Sequence, residues 1–173
     1  MAKDPYRGGP PRKLDAAEVI DLTRAANDGN VVEALALALT DDTELRDKLA
    51  TALLRDFGQV DRRLIITLID IETRRAREEG GCGDPLYALC FMLFWLGNEE
   101  DEGIIFSAKE SNQDTGTMID SYMLTMRKAS CPESIDREKY PHVYQAVMSA
   151  IREQQWEDDD DFRDGVLAYF GLG

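Results

Sequence analysis

DPLYALCFMLFWLG, residues 84–97, opens with an acidic residue and a proline, runs through eleven apolar residues and stops at a glycine. Proline at the first helical position brings a helical φ and lacks only an N–H that would go unpaired there, while glycine just past the end accepts the left-handed turn. Eleven apolar residues exceed an ordinary strand and suit a helix. A helix apolar on every side must be covered on every side, and a membrane span needs about 20 such residues, so this segment predicts the central buried helix of a folded core.

Working outward, the punctuation stays helical. Asp15, Asn30 and Asp42 stand as caps before residues 16–27, 31–39 and 43–57, and Gly29 and Gly58 stand as stops. Residues 61–79 crowd Leu64, Ile65, Ile66, Leu68, Ile69 and Ile71 into two turns, an arc wide enough to be covered on more than one side, and end in Arg74, Arg75 and Arg77, whose charges suit a helix C-terminus. GGCGDP, residues 80–85, reads as a linker. Beyond the central segment, helices are predicted at residues 101–111, 115–128 behind an Asp114 cap, 141–156 behind Pro141, and 161–170. Their inward faces are expected to carry Ile119, Tyr122, Met123 and Met126; Tyr144, Val147, Met148 and Ile151; and Phe162, Val166, Tyr169 and Phe170. No β-branched run alternates with polar residues, so the fold class is all-α.

Helix starts near residues 61, 101 and 141 recur at about 40 residues, with intervening starts near 42, 84 and 115. This is the spacing of antiparallel helix pairs, either a short HEAT-like or armadillo-like solenoid or an irregular helical bundle. Residues 1–13 hold three of the six prolines and four basic residues against one acidic. They are expected to be a flexible basic tail ahead of a single helical domain over residues 14–173.

The 173 residues carry a net charge of −14, and −17 falls on residues 14–173 once the +3 of the first thirteen is set aside. Such a field repels phosphate backbones and anionic lipid heads, which argues against direct nucleic-acid or membrane binding and for a basic protein partner. Cys82, Cys90 and Cys131 are odd in number, show no CxxC spacing and follow no signal peptide, so a reducing cytoplasm is expected.

Catalytic and cofactor signatures are missing. One histidine, His142, leaves no pair for a zinc site or HExxH motif, and as a nucleophile's base it would need a thiol or carboxylate brought to it in space. EDDDD at residues 157–161 fails as a calcium loop. With Gly165 at loop position 6, position 3 becomes Phe162 and position 12 becomes Gly171. These carboxylates and Glu99–Glu102 are instead placed to complement helix N-termini. There is no GxxxxGK[ST], and the Gly80, Gly81, Gly83 cluster follows a helix. No cofactor and no metal are expected. Trp95 and Trp156 end their helices and core packing is the default for both, with Trp156, beside the acidic run, the alternative candidate for a partner anchor.

The stretch 84–126, a quarter of the chain, resembles a segment of small bacterial HEAT-like helical proteins, some of them immunity-type proteins of toxin systems. An apolar helix leads to Leu96, Gly97 and Asn98, then acidic residues including Asp101, then Ala108 with Lys109, Asp114 with Thr115, and Ile119 with Asp120. Phe106 fills the aromatic position before Ala108, whereas Gln113 stands where the pattern has an aromatic. The resemblance implies a noncatalytic partner-binding protein.

With the charge excess, it leads to a first expectation: a monomeric acidic interaction module, an immunity or antitoxin-like inhibitor of a basic protein such as a toxin. Its binding edge would be Glu99, Glu100, Asp101 and Glu102, with Phe106, Lys109, Asp114 and Asp120. A second expectation is a nucleic-acid mimic whose carboxylates replace phosphates, and a third is a hydrolase using His142.

Overall fold

The computed structural model describes residues 14–26, 29–153 and 158–173. Among these residues there is no strand, and nine helices are formed: α1 Ala16–Ala26, α2 Gly29–Asp41, α3 Thr43–Arg55, α4 Arg62–Glu79, α5 Asp84–Leu96, α6 Glu102–Lys109, α7 Gln113–Met118, α8 Pro141–Glu153 and α9 Asp159–Tyr169. The expected basic tail at residues 1–13 and the candidate anchor Trp156 lie outside the described residues.

Local chemistry sets the boundaries. Asp15 and Glu18 cap α1 reciprocally, the Glu18 N–H donating to the Asp15 carboxylate at 2.9 Å and the Asp15 N–H to Glu18 at 3.3 Å. The Asp42 carboxylate accepts from the Leu45 N–H at 3.0 Å. Pro85 lies in the first turn of α5, and Gly97 closes that helix at φ 73°. Its residues Leu86 and Ala88 to Phe94 are buried, as the apolar run predicts.

Alternate helices stack in two layers. α1, α3 and α5 pack side by side in one, and α2, α4, α6 and α8 in the other, with α1 against α2, α4 against α5 and α5 against α6 across the layers. Thus α4 lies against α2, α5 and α6 at once, which accounts for its wide apolar arc. Contact within the second layer runs from α2 through α4 and α6 to α8. The last helix leaves it: α9 turns back across α5, where Phe162 packs against Phe91, Phe94 and Tyr122, and Phe170 stacks on Tyr87.

Several expectations are corrected, among them the Gly29 stop and the Asn30 cap, since α2 begins at Gly29. The helix predicted over residues 115–128 is instead α7, a break at Ile119–Asp120, and a 3-10 segment, Ser121–Thr125. Asn112 caps α7 in place of Asp114, its side chain accepting from the Thr115 N–H at 2.9 Å. The break follows from side chains that outcompete the helical ladder: the Asp120 carboxylate takes the Tyr122 N–H at 2.8 Å, and the Lys109 ammonium takes the carbonyls of Gly116 and Ile119. Ile119, Tyr122, Met123 and Met126 are nevertheless buried.

On α8, Val147 is buried but Met148 and Ile151 are 40% and 48% exposed. Among the described residues α8 lies last in its layer, which leaves them uncovered. Tyr169, expected inward, is 59% exposed because its hydroxyl reaches Asp84 at 2.9 Å from the rim of α9.

Candidate functional site

Ion pairs that bind the helix pairs together decide which carboxylates are left for function. Arg24 on α1 donates to the buried Asp61 carboxylate at 2.7 and 2.9 Å, and Asp61 also accepts from the Gly58 N–H at 2.9 Å. One pair later, Arg62 donates through Nε to Asp101 at 2.8 Å and through Nη2 to its other oxygen. Both arginines are held more firmly protonated by these carboxylates, the hydrogen bond being the larger cause. The two rungs use adjacent residues, Asp61 and Arg62, and repeat across neighbouring turns. A third tie, Arg46 to Glu72, is buried between α2, α3 and α4.

The predicted binding edge therefore divides. Asp101 is 1% exposed inside its rung, and Glu99 pairs with Lys128 at 2.8 Å. Glu100 is exposed and reaches Arg62 at 2.8 Å. Glu102 is buried; burial raises its carboxyl above the ordinary range, and His142 pulls it back. Phe106 stacks on His142 with ring centroids 4.0 Å apart. Lys109 holds the end of α7, with burial lowering its ammonium. Asp120 caps the 3-10 segment, and Asp114 stands exposed on α7. Of the eight residues, Glu100 and Asp114 are the exposed carboxylates.

Nearby, Met126 and Arg127 are both left-handed, at φ 47° and 59°, a conformation that costs a residue with a side chain about 1–2 kcal/mol. Burial of Met126 holds the turn. So does Arg127, whose guanidinium lies 4.2 Å from the Trp95 ring centroid and donates to the Trp95 carbonyl at 3.2 Å.

Sequence reasoning passed over a concave region around loop 80–85. A cleft of about 370 Å³ lies where α3 begins and α4 ends, lined by Asp47, Glu72, Arg75, Glu79 and Cys82. Asp47 and Pro85 also line a neighbouring hollow of about 300 Å³, floored by Ala50, Leu54, Ala88, Phe170 and Leu172. Gly81 and Cys82 open on their other flank to a depression of about 400 Å³ bordered by Asp114 and Met118. The glycines allow this path: Gly80 and Gly81 sit at φ 78° and 79°, with nothing near their would-be Cβ atoms. The sequence signal was GGCGDP, which earlier served only as a linker.

Cys82 reports the local field. Burial pushes its thiol up to about 11, and Asp114, Asp84 and Glu72 push in the same direction. A thiol so placed is a poor nucleophile. With iodoacetamide at pH 8.5, exposed Cys131 is expected to react first and half-buried Cys82 roughly two orders of magnitude more slowly. Buried Cys90 should react only after unfolding. Raising the pH by one unit should speed Cys82 about tenfold, since its thiolate is the minor form below about 11. Peptide mapping of the alkylated protein reads all three rates, and a fast Cys82 would contradict this environment.

Among the described residues no group of three or more His, Cys, Asp or Glu side chains is arranged to hold a metal ion, and no helix is long and apolar enough to cross a membrane. Comparison of the chain with protein-family models, curated proteins and solved structures finds no match.

Proposed function

We propose that this chain is a noncatalytic binding protein whose carboxylate surface engages a basic partner protein, in the manner of an immunity or antitoxin-like inhibitor acting as a cytoplasmic monomer. The observation that carries the reading is the excess of carboxylates, 34 against 20 basic residues. Arg24, Arg46, Arg62 and Lys109 turn inward to carboxylates and carbonyls that join helix to helix. Carboxylates such as Asp47, Asp70, Asp84, Glu100, Asp114 and Asp136 remain on the surface. Each inward arginine is matched by an inward carboxylate, Asp61, Glu72 or Asp101, so these ties leave the chain's excess of carboxylates in place. A surface of this kind accelerates encounter with a basic protein and opposes anionic ones. The resemblance of residues 84–126 to immunity-type proteins points the same way.

The test is capture of a partner by the immobilised full chain from lysate of its source cells, identification of the bound protein, and stopped-flow association of the purified pair. The expected partner is basic, and its association rate should fall by an order of magnitude or more between about 0.05 and 0.5 M salt, where the screening length shrinks from more than 10 Å to a few ångströms. A partner with an acidic surface, or an association rate indifferent to salt, overturns the reading. A DNA-binding partner displaced by duplex DNA would favour the nucleic-acid mimic instead.

A further inference from the structure

Three adjoining concavities around loop 80–85 make up a segmented groove, Asp47 and Pro85 bordering both the first and the second, Gly81 and Cys82 both the first and the third. At one end its floor is apolar, made by Leu54, Ala88, Phe170 and Leu172. Its rim carries carboxylates along its length: exposed Asp84 borders the apolar end, exposed Asp114 the other end, and exposed Asp47 and Glu79 the middle. The cation set into the wall there, Arg75, is held by Glu79 at 2.8 Å and lies 3.7 Å from Glu72. Arg55 stands at the apolar end. A hollow bordered by carboxylates selects a side chain that is apolar in one part of the ligand and cationic in the next. Nucleic acid is excluded by the same carboxylates, and a second copy of a chain carrying −14 is disfavoured by like charge.

We infer that this groove docks an extended segment of the partner, with an apolar side chain seated on Leu54, Ala88 and Phe170 and a neighbouring lysine or arginine held among Asp47, Asp84 and Asp114. The inference rests on the reading of the chain as a binder of basic proteins and specifies where and what it binds. Main-chain groups of the segment pass over the glycine loop, and Cys82, on the groove floor between the two flanks, is covered by the bound cation.

The probe is a fluorescein-labelled peptide, acetyl-Gly-Leu-Gly-Arg-Lys-Gly-amide, titrated into the full chain and followed by anisotropy, with Cys82 alkylation measured in parallel. Asp47→Asn combined with Asp114→Asn is expected to raise Kd about tenfold, the effect of losing two rim charge pairs, whereas Asp21→Asn on α1 leaves it unchanged. A peptide with serine for leucine should weaken comparably. Saturating peptide should slow alkylation of Cys82 and leave Cys131 unaffected. Equal affinity for the groove variant and the wild type overturns the inference, as does full Cys82 reactivity in the complex. Two further outcomes also overturn it: binding that appears only after residues 1–13 are removed, which would assign the groove to the chain's own basic segment, and peptide competition with a dimer seen by sedimentation. Each of these leaves salt-dependent capture of a basic partner standing, so loss of the groove and loss of the general reading are told apart.

Discussion

Arg46→Met is expected to lower the stability of the chain by about 3–5 kcal/mol in urea denaturation, because it strips a buried carboxylate of its counter-charge. Arg46 is 2% exposed, and all three of its guanidinium nitrogens are in use. Nε donates to Glu72, Nη1 to the carbonyls of Leu39 and Thr40 at 2.7 and 2.8 Å, and Nη2 to the Thr43 hydroxyl at 3.1 Å. One side chain thus closes the end of α2, braces the first turn of α3 and joins both to α4. Arg75 cannot take its place, since it is already engaged by Glu79 and stands 3.7 Å from the second Glu72 oxygen. Adding Glu72→Leu to Arg46→Met should restore about half of the loss. The stranded charge is then gone, but two carbonyls remain without their donor. A loss under about 1 kcal/mol for the single variant would mean that water reaches this pair in solution.

That residue also shows where reading the sequence stops. Arg46 falls in a stretch whose helical period and Asp42 cap are plain, and nothing in the period separates an arginine turned inward from one on the surface. The same holds for the rungs. Asp61 and Asp101 were legible as residues near helix starts, at a recurrence of about 40, but that each would be sealed against an arginine of the preceding pair depends on how the pairs stack. Helix positions were legible because caps, glycine stops and apolar period are local properties. The break at Ile119–Asp120 was not, because it is imposed by Lys109, ten residues away, reaching back to the carbonyls of α7.

Burial of Met148 and Ile151 was misjudged for a related reason. An apolar stripe predicts a partner only when another helix follows in the layer, and α8 has none among the described residues. At the site, Asp114 and Glu100 were named from charge and resemblance and stand exposed. The groove was invisible because its walls come from α3, α4, α5, α7 and the end of the chain. Only the glycine-rich loop that threads it left a mark in the sequence.

Phe162→Ala should also cost about 3–5 kcal/mol, and it separates α9 from the rest of the fold. The ring is fully buried, with centroids 4.8 Å from Tyr122, 5.4 Å from Phe94 and 6.2 Å from Phe91. No other residue of α9 reaches so deep. Val166 is buried a turn later; Tyr169 and Asp159 hydrogen-bond to Asp84 and to the Tyr122 hydroxyl, each at 2.9 Å, Tyr169 also packing edge-on to Tyr87 and Asp159 lying 3.9 Å from Arg127. Helices α1 to α8 form a layered series without α9, so removing its one deep anchor opens that helix ahead of the others. Hydrogen exchange should therefore show residues 159–169 losing protection first, while the amides of α4 and α5 keep most of theirs. Because Phe170 and Leu172 belong to the groove floor, the same variant should weaken the leucine-containing peptide and leave its serine counterpart nearly unchanged. Equal loss of protection in α4, α5 and α9 would instead make the last helix part of one cooperative unit, with the groove as rigid as the core beneath it.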